Sequence, residues 1–219
     1  MYQITVDGVS GAGKTTVCQK VAQNLGIVYY NIDLAKGAIA LCCVEKNINP
    51  TDAEKVLDLL RNIKIEIKQS PTSITVLLDD RDVTRLIKNP MVVNASYSLS
   101  KLDYISSYLK ILQLQAAKEG SIVVEGFDTG VTMFPNAKFK FFLTATSEIR
   151  AKRRYEALSN AGVNISYDEV LNTTIESDKN NFKGELSQIK IPEDCIFIDT
   201  SYQTDVETAQ QITDIVKGI

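Results

Sequence analysis

Residues 8–15 read Gly8-Val9-Ser10-Gly11-Ala12-Gly13-Lys14-Thr15 and fit the pattern G-x-x-x-x-G-K-[ST]. Glycines at these spacings let a loop curl until successive backbone N–H groups point inward, which is a cradle for phosphate oxygens. A helix that starts where such a loop ends adds the positive end of its dipole to the same place. Gly8, Ser10, Gly11, Ala12, Gly13, Lys14, Thr15 and Thr16 are therefore expected to hold the phosphates of ATP or a similar nucleoside triphosphate. Lys14 is expected to reach the β- and γ-phosphates, and the Thr15 hydroxyl to ligate a magnesium ion that bridges them. Glu125 is the second metal candidate. It follows Val123-Val124 at the end of an apolar run, and a carboxylate at the carboxyl end of a buried parallel strand lies beside the phosphate crevice, where it can orient magnesium through water. Asp128 comes three residues later. Arg150, Lys152, Arg153 and Arg154 form a dense basic cluster. Arg150 and Arg154 stand four apart, hence on one helix face, with Arg153 as a further candidate.

These residues need a scaffold, and the chain has the length for one. It has 219 residues, 44% hydrophobic and 23% charged, with a net charge of −3. That is ordinary for one soluble domain and gives no global pull toward nucleic acid or a membrane. The absence of histidine removes imidazole metal ligands and every arrangement that needs a histidine base. Cys18, Cys42, Cys43 and Cys195 lack metal-ligand spacing and read as small buried hydrophobes in a reducing cytoplasm. No apolar run reaches the roughly 18 residues of a membrane span. The expected setting is cytoplasmic and soluble.

Residues 2–6 form a β-rich run leading into the loop, 15–25 carry apolar residues at helical spacing before Gly26, and 27–30 read as a strand. Strand–loop–helix–strand is a parallel-sheet signature. With 122–125, 139–143 and 195–199 this gives five buried strands. Helices are expected over 92–118, 147–160, 166–179 and 205–217. Capping boxes are read at Thr51–Glu54 and Ser166–Glu169. Ile63, Ile65 and Ile67 alternate with charged residues, 69–73 contains Pro71, and 74–78 is a second β run, which together describe a small inserted antiparallel hairpin.

Beyond the loop, four stretches make the sequence resemble the bacterial cytidylate kinases, members of the P-loop nucleoside monophosphate kinases. They are Ile4-Thr5-Val6-Asp7-Gly8; Val76-Leu77-Leu78-Asp79-Asp80-Arg81-Asp82-Val83-Thr84; Val123-Val124-Glu125-Gly126-Phe127-Asp128-Thr129-Gly130 with Phe134-Pro135-Asn136-Ala137; and Phe142-Leu143-Thr144-Ala145 with Arg150-Ala151-Lys152-Arg153-Arg154-Tyr155. The resemblance implies an α/β, three-layer P-loop fold with a five-stranded parallel sheet, a helical lid and a small inserted antiparallel β hairpin. It implies one P-loop kinase domain over 1–219, an acceptor-binding insert at 61–93 and a lid at 147–184. It implies ATP and Mg2+ as cofactors, CMP or dCMP as acceptor, and Arg150, Arg153 and Arg154 as lid cations that close over the transferring phosphoryl group. Asp128 matches the family's acceptor-site aspartate. No nucleic acid or membrane partner is implied, and a monomer is expected.

The resemblance breaks at the acceptor. Where the family has D-T-G-x-x-Y-R, this chain has Asn31-Ile32-Asp33-Leu34-Ala35-Lys36-Gly37, so Gly37 takes the arginine position. The family's G-R-D reads Gly126-Phe127-Asp128, and its R-D-x-x-D reads Ser177-Asp178-Lys179-Asn180-Asn181. A further arginine falls near Gly184, with Lys183 adjacent. A phosphate dianion taken from water needs several charge-assisted donors, and lysine lacks arginine's bidentate fork. Three functions are compatible with this: an ATP-dependent cytidylate kinase with a variant acceptor site, a small-molecule kinase of the same fold with a different acceptor, and a non-catalytic nucleotide-binding protein. Direct in-line transfer is expected for either enzyme, with Asp128 or Asp33 as the base for an alcohol acceptor.

Overall fold

The computed structural model describes residues 1–69, 73–181 and 189–218. In chain order its elements are β1 (Gln3–Gly8), α1 (Lys14–Leu25), β2 (Val28–Tyr29), α2 (Ile32–Glu45), α3 (Ala53–Arg61), β3 (Ile65–Gln69), β4 (Ile74–Leu78), β5 (Arg81–Asp82), a 3-10 turn (Leu86–Lys88), α4 (Pro90–Leu99), α5 (Asp103–Glu119), β6 (Ile122–Gly126), α6 (Thr129–Thr132), β7 (Phe139–Thr144), α7 (Ser147–Asn160), α8 (Tyr167–Asn181), β8 (Ile196–Asp199) and α9 (Asp205–Lys217). A five-stranded sheet has the order β2-β6-β1-β7-β8, and a smaller sheet has the order β3-β4-β5. The α/β architecture with a parallel sheet and a small antiparallel insert is the one expected from the sequence. Two compact units make up the chain, Met1–Leu25 with Val123–Ile219, and Gly26–Ile122.

In the first unit, β1 and β7 run parallel with Ile4 opposite Phe139 and Gly8 opposite Leu143. Ile4, Val6, Val123, Val124, Phe141 and Leu143 are fully buried. Such continuous apolar runs are what strands covered on both faces require. The expectation of five buried strands fails at β8. That strand pairs only with β7 in the sheet order, and Ile196 and Phe197 are 42% and 58% exposed, as an edge position allows. Helix α1 packs Val17, Cys18, Val21 and Ala22 inward, and Gly26 ends it at φ 65°, a left-handed stop that glycine adopts without a Cβ penalty. The Ser166–Glu169 capping box forms in both directions, at 2.9 and 3.3 Å.

The second unit departs from expectation in three places. The helix read over 92–118 is two helices, α4 and α5, broken at Ser100–Leu102. The break falls where Leu102 takes extended backbone, φ −110° and ψ 113°, just after the Ser100 N–H closes the last turn of α4 on the Ser96 carbonyl at 3.1 Å. Helix α3 is capped by Asp52, which accepts from the Lys55 N–H at 3.2 Å, rather than by Thr51, whose hydroxyl donates to Asn49 at 2.9 Å. The insert carries a third short strand, with Leu77 opposite Asp82, in addition to the β3–β4 pair. The turn expected at 69–73 falls mostly on 70–72, outside the described residues. Among the described residues no helix is long and apolar enough to cross a membrane.

Candidate active site

Strand β1 ends in the loop at Gly8, whose φ of 149° and position exclude any side chain. A Cβ there would lie 2.1 Å from the Leu143 carbonyl oxygen on β7. Gly11 and Gly13 also take positive φ, 82° and 90°, and Ala12 N–H closes the turn on the Val9 carbonyl at 3.3 Å. The N–H groups of Ser10, Gly11, Gly13, Lys14, Thr15 and Thr16 have no acceptor among the described residues. Six unpaired donors along the loop and the first turn of α1 form an anion-binding concavity.

Lys14 folds back across its own loop, donating to the Gly8 and Val9 carbonyls at 2.9 and 3.0 Å. Its ammonium also stands 4.9 Å from the centre of the Phe127 ring. Burial pushes the Lys14 pKa below the ordinary lysine value, while the Glu125 carboxylate pulls it back up. The Thr15 hydroxyl donates to Glu125 at 3.1 Å, so the two metal candidates, 110 residues apart in sequence, meet at the loop. A hydroxyl and one carboxylate, both reachable by solvent, suit magnesium, which keeps several waters and takes only one or two protein ligands beside substrate phosphates.

Behind this pair lies a carboxylate that motif reading missed. Asp7 is fully buried and accepts from the N–H groups of Thr129 and Gly130 at 2.8 and 2.7 Å. Burial raises its pKa above the ordinary aspartate value, and those two N–H bonds pull it down. Asp7 thereby pins the turn carrying Gly126, Phe127 and Asp128 to the strand that leads into the phosphate loop. Gly126 and Gly130 keep this corner open, because a Cβ would lie 2.0 Å from the Thr129 hydroxyl at the first and 2.8 Å from the Thr5 hydroxyl at the second. Asp128 stands at the N-terminus of α6 without a side-chain capping bond and is half-buried.

The basic cluster divides differently from the expected Arg150–Arg154 face. Arg150 is only 4% exposed. It donates through Nε to Ala145 O at 2.8 Å, through Nη1 to Ser10 O at 3.2 Å, and makes a bidentate pair with Asp178 of α8. Arg153 reaches the Gly11 carbonyl at 3.4 Å and Thr200 at 3.1 and 2.7 Å. The residues facing the loop are therefore 150 and 153. Arg154 is exposed and makes no hydrogen bond or ion pair among the described residues. Thr200, which no motif marks, ties its hydroxyl to the Ala12 and Thr144 carbonyls at 3.0 and 3.1 Å. Arg153, Thr200, Gly13, Thr16 and Thr204 line a cavity of about 330 Å3 beside the loop.

The positions where the sequence lacks arginines are occupied in different ways. Gly37 is buried in α2, and a Cβ there would meet the Ile87 Cβ at 3.2 Å. Lys36 is paired with Asp33 at 2.7 Å. Ser177 accepts from the Asn181 side chain at 3.2 Å. Lys183 and Gly184 lie outside the described residues.

With this geometry in place, the comparisons are specific. Residues 4–218 match the family model described as cytidylate kinase. The chain is 35% identical to a cytidylate kinase of Caldicellulosiruptor saccharolyticus, over 97% of this chain and 94% of that one. It is 34% identical to a cytidylate kinase of Caldanaerobacter subterraneus, over 98% and 94%. It is 33% identical to cytidylate kinase 1 of Haemophilus influenzae, over 90% and 86%.

Proposed function

The chain belongs to the cytidylate kinase family and is an ATP-dependent phosphotransferase of that kind, and we propose that it passes the γ-phosphoryl group of Mg-ATP to CMP or dCMP. The observation that carries the donor half of this reading is the Thr15–Glu125 hydrogen bond beside a loop with six N–H donors unpaired among the described residues, and the family membership supports the acceptor half. In this reading the loop N–H groups and Lys14 hold the β- and γ-phosphates. A magnesium ion bound at Thr15, with Glu125 reached through water, would supply charge neutralisation between those phosphates. The cavity under Arg153 takes the base of the donor. Arg154 is the exposed cation free to swing toward the transferring group, and Arg150, held by Asp178, shapes the loop by gripping Ser10.

Transfer is direct: the acceptor oxygen attacks the γ-phosphorus in line, and the protein positions and neutralises. A phosphate acceptor needs no strong base. Two small molecules, a cytoplasmic setting and a monomeric enzyme complete the reading.

A second reading, a kinase for an acceptor without a phosphate, is favoured by one observation. Gly37, packed on Ile87, and Phe127, under Lys14, supply no cation where the family places arginines. Asp128 would then serve as base. The test is ADP formation by the purified protein with Mg-ATP against CMP, dCMP, other nucleotides, nucleosides and small alcohols. Saturable turnover of CMP supports the first reading. Turnover confined to hydroxyl acceptors replaces it with the second.

A further inference from the structure

We propose that Phe127 is a positioning residue for the donor site: its ring holds Lys14 against the phosphate loop, in the place where relatives carry an acceptor-side arginine. Three observations converge on this. The Lys14 ammonium lies 4.9 Å from the ring centre, inside the range at which a cation is attracted to the face of an aromatic ring. Two of its N–H bonds go to Gly8 and Val9 carbonyls, so the ring covers an ammonium already anchored on its other side. The turn that carries the ring is held two residues further on, where Asp7 accepts from the Thr129 and Gly130 N–H groups, while the ring itself is 37% exposed.

The consequence concerns order, not new contacts with substrate. A lysine side chain loses substantial rotamer freedom when it is immobilised. Here that ordering occurs before nucleotide arrives. An aromatic ring does this without introducing a second positive charge beside Lys14, as an arginine at 127 would.

This inference rests on the donor role proposed for Lys14, and direct Mg-ATP binding, measured by titration calorimetry without any acceptor, separates the two. Phe127→Leu is expected to weaken Mg-ATP binding by roughly 3- to 30-fold, the span a cation–π contact of this kind covers. Phe127→Trp, which keeps a ring face, is expected to bind within about twofold of the wild type. Phe127→Arg is expected to bind Mg-ATP more weakly than Phe127→Leu. In a Lys14→Ala background, Phe127→Leu is expected to change nothing further, since the residue acts through Lys14. Unchanged Mg-ATP binding in Phe127→Leu overturns the proposal, as does an equal loss with and without Lys14 in proteins of matching melting temperature. Full Mg-ATP affinity in Lys14→Ala alone would remove the donor reading and this inference with it.

Discussion

The phosphate loop and helix α2 hold family positions in opposite ways. At the loop the working groups are largely backbone: N–H donors left open by Gly11 and Gly13 at positive φ, with the Lys14 and Thr15 side chains added. Gly8 cannot change without pushing β7 away. In α2, where the sequence resemblance calls for an arginine, Gly37 packs against Ile87 with no room for a further carbon. A site made of backbone conformation is locked by its neighbours, whereas a site made of side-chain charge can be traded for packing by a single substitution. That is why the donor machinery stays recognisable while the acceptor machinery does not.

The sharpest way to break this contrast is at Lys14. Lys14→Ala is expected to lower phosphoryl transfer to the best acceptor by on the order of a hundredfold or more, since it removes the only side-chain cation the loop itself supplies to the phosphates. A coupled assay for ADP reads it, and transfer at the wild-type rate would show that the backbone cradle alone suffices. Next comes Asp178→Ala. It leaves Arg150 buried with its bidentate partner gone, a change worth about 3 kcal/mol in buried pairs. Thermal unfolding should drop by roughly 6–12 °C in a chain of this size, with the loop contact at Ser10 loosened. A drop below about 2 °C would mean that the pair is not what holds α8 to the loop.

Gly37→Arg tests the other side of the contrast. Restoring the family's arginine looks like a route to better CMP use. Because the Cβ alone would come within 3.2 Å of Ile87, the variant is instead expected to lose about 1–3 kcal/mol through overpacking and to gain nothing with CMP. Denaturant unfolding and a CMP saturation curve decide it together. A stable variant with a lowered Michaelis constant for CMP would show that α2 gives way easily, and would return the position to the acceptor site.

The loop, the strands and most helix ends were legible because their signals are contiguous: a glycine pattern, apolar runs, caps three residues apart. What could not be read are pairings over long chain separations. Nothing local marks Asp178 as the partner of Arg150, 28 residues away, or Thr200 as the partner of Ala12, 188 residues away. Asp7 sat in plain view before Gly8, but its task is to hold Thr129 and Gly130, and only the parallel sheet brings these together. Arg150 and Arg154 were grouped by helical spacing. The true division between a buried and an exposed arginine depends on the packing of α7 against α8, on which the four-residue spacing is silent. The apolar period over 92–118 runs on through Ser100–Leu102, so it carries no sign of the extended backbone at Leu102 that divides α4 from α5.

The smallest expected effect lies at the far end of β7. Lys140 is nearly buried and bonds Asp194 at 2.8 and 2.9 Å, and this hydrogen bond holds the Asp194 carboxyl below its ordinary value of 3.8. A carboxylate with a depressed folded-state pKa stabilises the fold above its unfolded value, and that stabilisation is lost as pH falls through the folded value. The gap in melting temperature between the wild type and Asp194→Asn should therefore be constant near neutrality and shrink below about pH 3.8. A gap that persists unchanged into strong acid would assign it to packing instead.

Burial of the cysteines has a practical corollary. Cys18 lies fully buried on α1, just behind the phosphate loop, and Cys42 and Cys43 are buried in α2. Burial raises all of these thiols, Cys43 to about 11 and Cys18 well above the ordinary value, and Cys195 is raised as well. The sulfurs of Cys18, Cys42 and Cys43 are shielded as well, so a disulfide reagent reaches them when the surrounding segment opens, whereas Cys195 is half-buried. The chain thus carries buried clocks in both of its units, Cys18 in one and Cys42 with Cys43 in the other. The modification rate of Cys18, timed with and without Mg-ATP against that of Cys42 and Cys43, reports how far nucleotide quiets the loop's own breathing.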